Sequence, residues 1–121
     1  TELKFLRKQS TQLASKMRYL SAQLLAMAEH DLWLTNATHA NAMAQRLAAG
    51  IRGIPGITIT QSVDANAVFV LLPREAAKRL LEQFHFYIWN ETTGEARWMT
   101  SWATAPEDVD EFVAAIAGAL T

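Results

Sequence analysis

The sequence predicts an α+β layer: a small, mostly antiparallel sheet covered by helices and preceded by a long amino-terminal helix. Three observations carry that prediction. Apolar residues recur at helical spacing from Leu6 to Ile51. From Ile57 the apolar period changes to two. A helix with a well-marked start then closes the chain.

In the first segment Leu6, Leu13, Met17, Leu20, Leu24 and Met27 are spaced by three, four or seven, so they share one stripe of a helix. Ala14, Ala22, Ala26 and Ala28 add helix propensity, while Lys16 and Arg18 fall off the stripe. Such a stripe is core packing or a seam with another subunit. Glu29-His30-Asp31 marks a break. A second helix follows with Trp33, Ala37, Ala40, Ala44, Leu47 and Ile51 on its buried side. Gly50, Gly53, Pro55 and Gly56 stop it.

"ITIT" from Ile57 alternates as a half-buried strand does. "AVFVLLP", Ala67 to Pro73, is continuously apolar, which predicts a central strand covered on both faces. Ala77, Leu80, Leu81 and Phe84 return to helical spacing. "FYIWN", Phe86 to Asn90, reads as a strand, "ETTG" as a turn, and Glu95 to Trp102 as the hairpin partner. Thr104 stands three residues before Glu107, a capping box, with Pro106 in the first turn and Asp108 and Asp110 at the positive end of the dipole. Val109, Phe112, Val113, Ile116 and Leu120 form the buried stripe of this last helix. The predicted order is helix, helix, strand, strand, helix, strand, strand, helix.

Composition narrows the function. The chain has 121 residues, a formal charge of −1, 50% hydrophobic residues and no cysteine. That length suits one domain with a real core. A near-neutral charge argues against binding nucleic acid or an acidic membrane through basic charge. Without cysteine there is no disulfide scaffold, and a reducing, cytoplasmic setting is expected. No apolar run reaches the roughly 20 residues that span a bilayer. The chain opens on Thr1 rather than Met, so a processed chain or a piece of a longer one is expected.

Few residues carry a chemical signal. His30, His39 and His85 match no metal-binding spacing, so no metal site is expected. No G-x-S-x-G, P-loop or G-x-G-x-x-G is present. Glu107, Asp108, Asp110 and Glu111 read as a solvated helix start. Arg7, Lys8, Lys16 and Arg18 suit either a phosphate or a solvated helix face. Arg97 is different. In "RWMTSWAT" it shares a strand face with Met99 and Ser101, opposite Trp98, Thr100 and Trp102. A guanidinium there must be paired or hydrated. An internal carboxylate would serve, and so would a ligand carboxylate held through two parallel N–H···O bonds.

Five blocks carry a family resemblance: "RKQSTQLASKMRYLSAQLLAM" (Arg7 to Met27), "LWLTNATHANAMAQRLA" (Leu32 to Ala48), "DANAVFVLLP" (Asp64 to Pro73), "FYIW" and "RWMTSW". In this order they resemble the carboxy-terminal part of low-specificity L-threonine aldolases, pyridoxal-phosphate enzymes of the aspartate-aminotransferase fold (fold type I). The resemblance implies that residues 1–121 are a single carboxy-terminal small domain of a larger enzyme, with 1–30 as a long connecting helix and 31–121 as the α+β layer. It implies a lyase that splits β-hydroxy-α-amino acids into glycine and an aldehyde. It also implies an amino-acid substrate, a large domain of the same polypeptide and a homo-oligomer as partners, with no nucleic acid and no membrane.

For Arg97 the resemblance implies a clamp on the substrate α-carboxylate. Such a clamp would help set the scissile Cα–Cβ bond perpendicular to the cofactor π system. For Arg18 and Lys8 it implies a place near the cofactor phosphate or a neighbouring subunit's site. The chain departs from the family in one respect above all. Lys4, Lys8, Lys16 and Lys78 all lack the following glycine of the lysine that joins the cofactor as a Schiff base, so that lysine is expected upstream of Thr1. No catalytic residue is therefore expected here, and the chain alone is expected to be inactive. Ala103 stands where many relatives carry an acid. Two other readings compete: a non-catalytic association domain built on the Leu13–Met27 stripe, and the small domain of another fold type I lyase or transferase.

Overall fold

The computed structural model describes residues 2–11 and 15–121. The chain divides into two compact units, Thr1–Leu34 and Thr35–Thr121.

The first unit is helical. It holds α1 (Leu3–Gln9), α2 (Met17–Ala28), a 3-10 turn at Glu29–Asp31 and the opening of α3 (Leu32–Ile51). Leu13 of the predicted stripe, and Ala14 beside it, lie outside the described residues. The expected break at Glu29–Asp31 is present: His30 and Asp31 have left-handed backbones, with φ of 54° and 55°. Lys16, also left-handed at φ 61°, stands immediately before α2. None of the residues of α2 is buried, so its apolar stripe packs no core within this unit.

The second unit is the α+β layer. After α3 come β1 (Thr58–Ile59), β2 (Ala67–Leu71), α4 (Arg74–Leu81), β3 (Tyr87–Asn90), β4 (Glu95–Met99) and α5 (Pro106–Ala119). The four strands form one sheet in the order β1-β2-β4-β3, every pair antiparallel. The predicted element types and their order are all found. Val68, Val70, Ala96 and Trp98 point from the two central strands into the core. There they join Leu47 and Ile51 of α3, Leu80 of α4 and Val109 and Ile116 of α5. Burying apolar area of this kind contributes about 25 cal/mol per Å² and is the main force behind the layer.

Four expectations need correction. Strand β2 is central, but its burial alternates: Val68 and Val70 are buried, Ala67 and Phe69 half-buried and Leu71 exposed. Helices α3, α4 and α5 pack together on one face of the sheet, so a continuously apolar run here does not mean that they cover both sides. On α3, Trp33 and Ala37 are exposed. Burial begins at Ala40, whose carbonyl accepts a 2.7 Å hydrogen bond from the buried Thr100 hydroxyl. Strand β4 ends at Met99 rather than Trp102, because Thr100 turns inward to make that bond and the chain then turns. Trp102 is consequently exposed. Only half of a capping box forms, and one residue further on: Asp108 accepts from the Ala105 N–H at 2.9 Å, while the Thr104 hydroxyl accepts from Ser101 N–H inside the preceding turn. Pro106 opens α5 as expected.

Helices α3 and α5 meet closely. A Cβ on Gly50 would lie 2.8 Å from a Val113 methyl, and a β-branched neighbour in a helix cannot swing aside. The same two helices are joined by Arg46, whose Nε and Nη2 donate to both Asp110 oxygens at 2.8 and 2.7 Å. Those bonds hold the Asp110 carboxyl below the ordinary aspartate range.

Two outcomes are expected. Gly50→Val should lower unfolding stability by about 1–3 kcal/mol through overpacking, read in a urea titration. Because the Asp110 pKa is lowered on folding, its contribution is complete above the unfolded-state pKa and is lost as pH falls through the folded-state value. The stability gap between the protein and Asp110→Asn should therefore be open at neutral pH and close in acid, in thermal melts run across pH 2–7.

Candidate functional site

The pleat of β4 builds the site. Ala96 and Trp98 enter the core, so Glu95, Arg97 and Met99 face the side of the sheet away from the core that α3, α4 and α5 build. Register supplies the neighbours: Arg97 lies opposite Phe69 on β2 and opposite Tyr87 on β3. Leu71, Tyr87, Trp89 and Met99 are all exposed, so this face is a broad apolar and aromatic surface with a cation at its centre.

The guanidinium is satisfied on one side only. Its Cζ lies 4.4 Å from the centroid of the Trp89 ring, within cation–π range. No carboxylate pairs with it among the described residues, where the ion pairs are Arg46–Asp110 and Lys78–Glu75. Glu95, two residues earlier on the same face, accepts instead from the Thr60 hydroxyl. Arg97 Nε is buried and has no hydrogen-bond partner. Among the described residues the other buried side-chain nitrogen in that state is Nε1 of Trp98, which lies in the core between Phe86 and Phe112. A half-buried guanidinium with a bare rim is an arrangement ready for an external carboxylate, which a planar fork binds through two parallel bonds.

The other candidates lie elsewhere. Lys8 and Arg18 are exposed on α1 and α2, in the first unit. Arg7 and Lys16 are exposed as well. His39 is half-buried with Nε2 2.8 Å from the Thr104 carbonyl oxygen, His85 meets Tyr87 edge-on, and His30 is exposed. No grouping of three or more metal-ligating side chains occurs among the described residues. In the acidic set expected to be solvated, Asp108 caps α5 and Asp110 binds Arg46. Ala103 lies in the turn after β4, where its N–H donates to the Ser101 hydroxyl.

Phe69 and Trp89 are the site residues that the sequence reading did not single out. The alternation of "FYIW" does put Tyr87 and Trp89 on one face, but only the strand pairing shows that this face carries Arg97.

If Arg97 serves a ligand rather than the fold, removing it should cost the fold little. Arg97→Met is expected to keep unfolding stability within about 1 kcal/mol of the parent, since only a partly exposed cation–π contact is lost. Deleting one partner of a buried ion pair would instead cost roughly 3–5 kcal/mol, and calorimetry separates the two.

Comparison with known proteins gives the arrangement a setting. No protein-family model matches the chain. It is 41% identical over 110 residues to the low-specificity L-threonine aldolase of a Pseudomonas species, covering 90% of this chain and 32% of that protein. It is 41% identical over 105 residues to the protein of the same name from Pseudomonas aeruginosa, covering 86% of this chain and 30% of the relative. A solved threonine aldolase structure from Leishmania major superposes with a TM-score of 0.61 at 28% identity, over 69% of this chain and 25% of the other. The expected resemblance is thus found in sequence and in fold: this chain is similar to one part, about a third in length, of the low-specificity L-threonine aldolases.

Proposed function

We propose that this chain is the carboxy-terminal small domain of a pyridoxal-phosphate-dependent aldolase, and that it binds the α-carboxylate of a β-hydroxy-α-amino acid cleaved to glycine and an aldehyde. One observation carries the reading. Arg97 presents a half-buried guanidinium whose Nε has no acceptor and which no described carboxylate neutralises. The likeness to threonine aldolases supplies the chemical class of the missing anion.

Within that reading each group has a definite task. The in-plane N–H rim of Arg97 grips the carboxylate through charge-assisted bonds. Two-point binding fixes how the substituents on the substrate α-carbon are turned, which a single contact would leave free. The aromatic surface around Arg97 keeps water from competing for the guanidinium.

The described residues do not supply the amine that would join the cofactor. Lys78 is exposed and bound to Glu75 at 2.7 Å, and Lys4, Lys8 and Lys16 are exposed on the first unit, so no enclosed amine is on offer. The cofactor and the catalytic lysine are therefore assigned to the remainder of a longer polypeptide, with Arg18 and Lys8 directed to the phosphate side. The chain taken alone is inactive on this reading. A homo-oligomer in the cytoplasm is part of the same proposal. The exposed apolar side chains Met17, Leu20 and Leu24 of α2 offer a surface for the large domain or a further subunit.

The intact protein that carries this chain provides the test. Arg97→Ala should raise KM for threonine or allo-threonine about 100-fold, the equivalent of roughly 3 kcal/mol for a lost pair of charge-assisted bonds. The absorbance of bound cofactor should be unchanged. An unaltered KM would overturn the assignment.

A further inference from the structure

We infer that Trp89 is a positioning residue for Arg97: its indole packs against the guanidinium and so limits how far the N–H rim can turn away from an arriving carboxylate. The inference rests on the carboxylate reading above and adds a second residue to that site.

A guanidinium has two kinds of surface. Its flat faces carry no hydrogen-bonding groups, whereas its rim carries five N–H donors. A partner that binds the rim competes with a carboxylate; a partner that binds a face does not. Trp89 offers no oxygen or nitrogen acceptor, so it takes no rim N–H in a conventional hydrogen bond. Its ring centroid lies 4.4 Å from Arg97 Cζ, and no described hydrogen bond or ion pair occupies the rim. The arginine is thus restrained without being consumed, and less rotational freedom remains to be lost when the ligand binds.

Trp89 is itself restrained. Phe69, the cross-strand neighbour of Arg97, meets the indole edge-on, with centroids 5.8 Å apart and planes at 76°. The backbone contributes as well. Ile88 pairs with Ala96 and Asn90 with Glu95, so Trp89 is the extra residue of a β-bulge on the edge strand β3. A bulge turns a side chain away from its regular direction and raises the local twist. The turn that follows is fixed by Asn90, whose Oδ1 accepts from the N–H groups of Thr92 and Thr93 at 3.0 and 3.2 Å. Trp89 is also 54% exposed. A tryptophan at an exposed bulge adds little to the core, while its ring lies against the unpaired arginine.

A double-mutant cycle in the intact protein, read as KM for threonine, tests this. Trp89→Ala should raise KM roughly 3- to 30-fold, the range of a partly desolvated cation–π contact. Trp89→Phe, which keeps an aromatic face, should restore most of the loss. In an Arg97→Ala background, Trp89→Ala should change KM less than about twofold, because nothing is left to position. An undiminished Trp89→Ala effect in that background, or a failure of Trp89→Phe to rescue, would overturn the positioning role. The two proposals fail separately. An Arg97→Ala protein with normal KM removes the carboxylate reading itself. A large Arg97→Ala effect with a silent Trp89→Ala removes only the role of Trp89.

Discussion

A guanidinium leaves water only in exchange for an acceptor, an anion or an aromatic face, and Arg97 has the last of these alone. That imbalance follows directly from the architecture. Strand β4 is central, so Arg97 is flanked on both sides by strands and is half-buried among their side chains. The pleat sets it opposite Ala96 and Trp98, which the helices bury. Its face holds Phe69, Tyr87, Trp89 and Met99, and these shield the cation without neutralising it. The nearest acid along the strand, Glu95, is turned to Thr60. A cation kept apolar on its flanks and bare on its rim discriminates strongly between having an anion and lacking one.

The sheet can hold such a residue because the layer is one-sided. Helices α3, α4 and α5 build the core against Val68, Val70, Ala96 and Trp98, and the stability of the layer comes from that face. The other face then need not be optimised for packing, so it can carry residues selected for chemistry. Close approach of α3 to α5 at Gly50 and Val113, the Arg46–Asp110 pair and the Thr100–Ala40 hydrogen bond all tie the helices and strand ends together on the packed side. None of these contacts involves the open face. Support and site are thus separated across a single sheet, with β4 alternating between them residue by residue.

Much of this was legible in the sequence, and the parts that were not share a cause. The change of apolar period at Ile57, the "ETTG" turn and Pro106 located the elements, because each is a local signal. Period two was enough to separate Arg97 from Trp98. Pairing was not legible in the same way. The Trp89 bulge exists only relative to β4, and the contact between Trp89 and Phe69 joins strands that are not hydrogen-bonded to each other. The continuous apolar run of β2 misled for a related reason: Phe69 and Leu71 are apolar as site surface, not as core. Thr104 matched a capping pattern of which only the Asp108 half forms, at Ala105, since the turn after β4 had already engaged the threonine hydroxyl.

An arginine rather than a lysine is what this geometry requires. A lysine ammonium is a compact charge with donors pointing in every direction, so stacking against an indole would sacrifice some of them. A guanidinium separates the functions: faces for aromatic restraint, rim for the anion. The restraint comes from β3 and β2 and the charge from β4, so three strands converge on one side chain. The order β2-β4-β3 is what puts the cation between its two aromatic supports. Had β3 paired on the far side of β2, Tyr87 and Trp89 would lie a strand further away and the guanidinium would be free to turn. Topology, and not only residue type, therefore sets how this guanidinium is held.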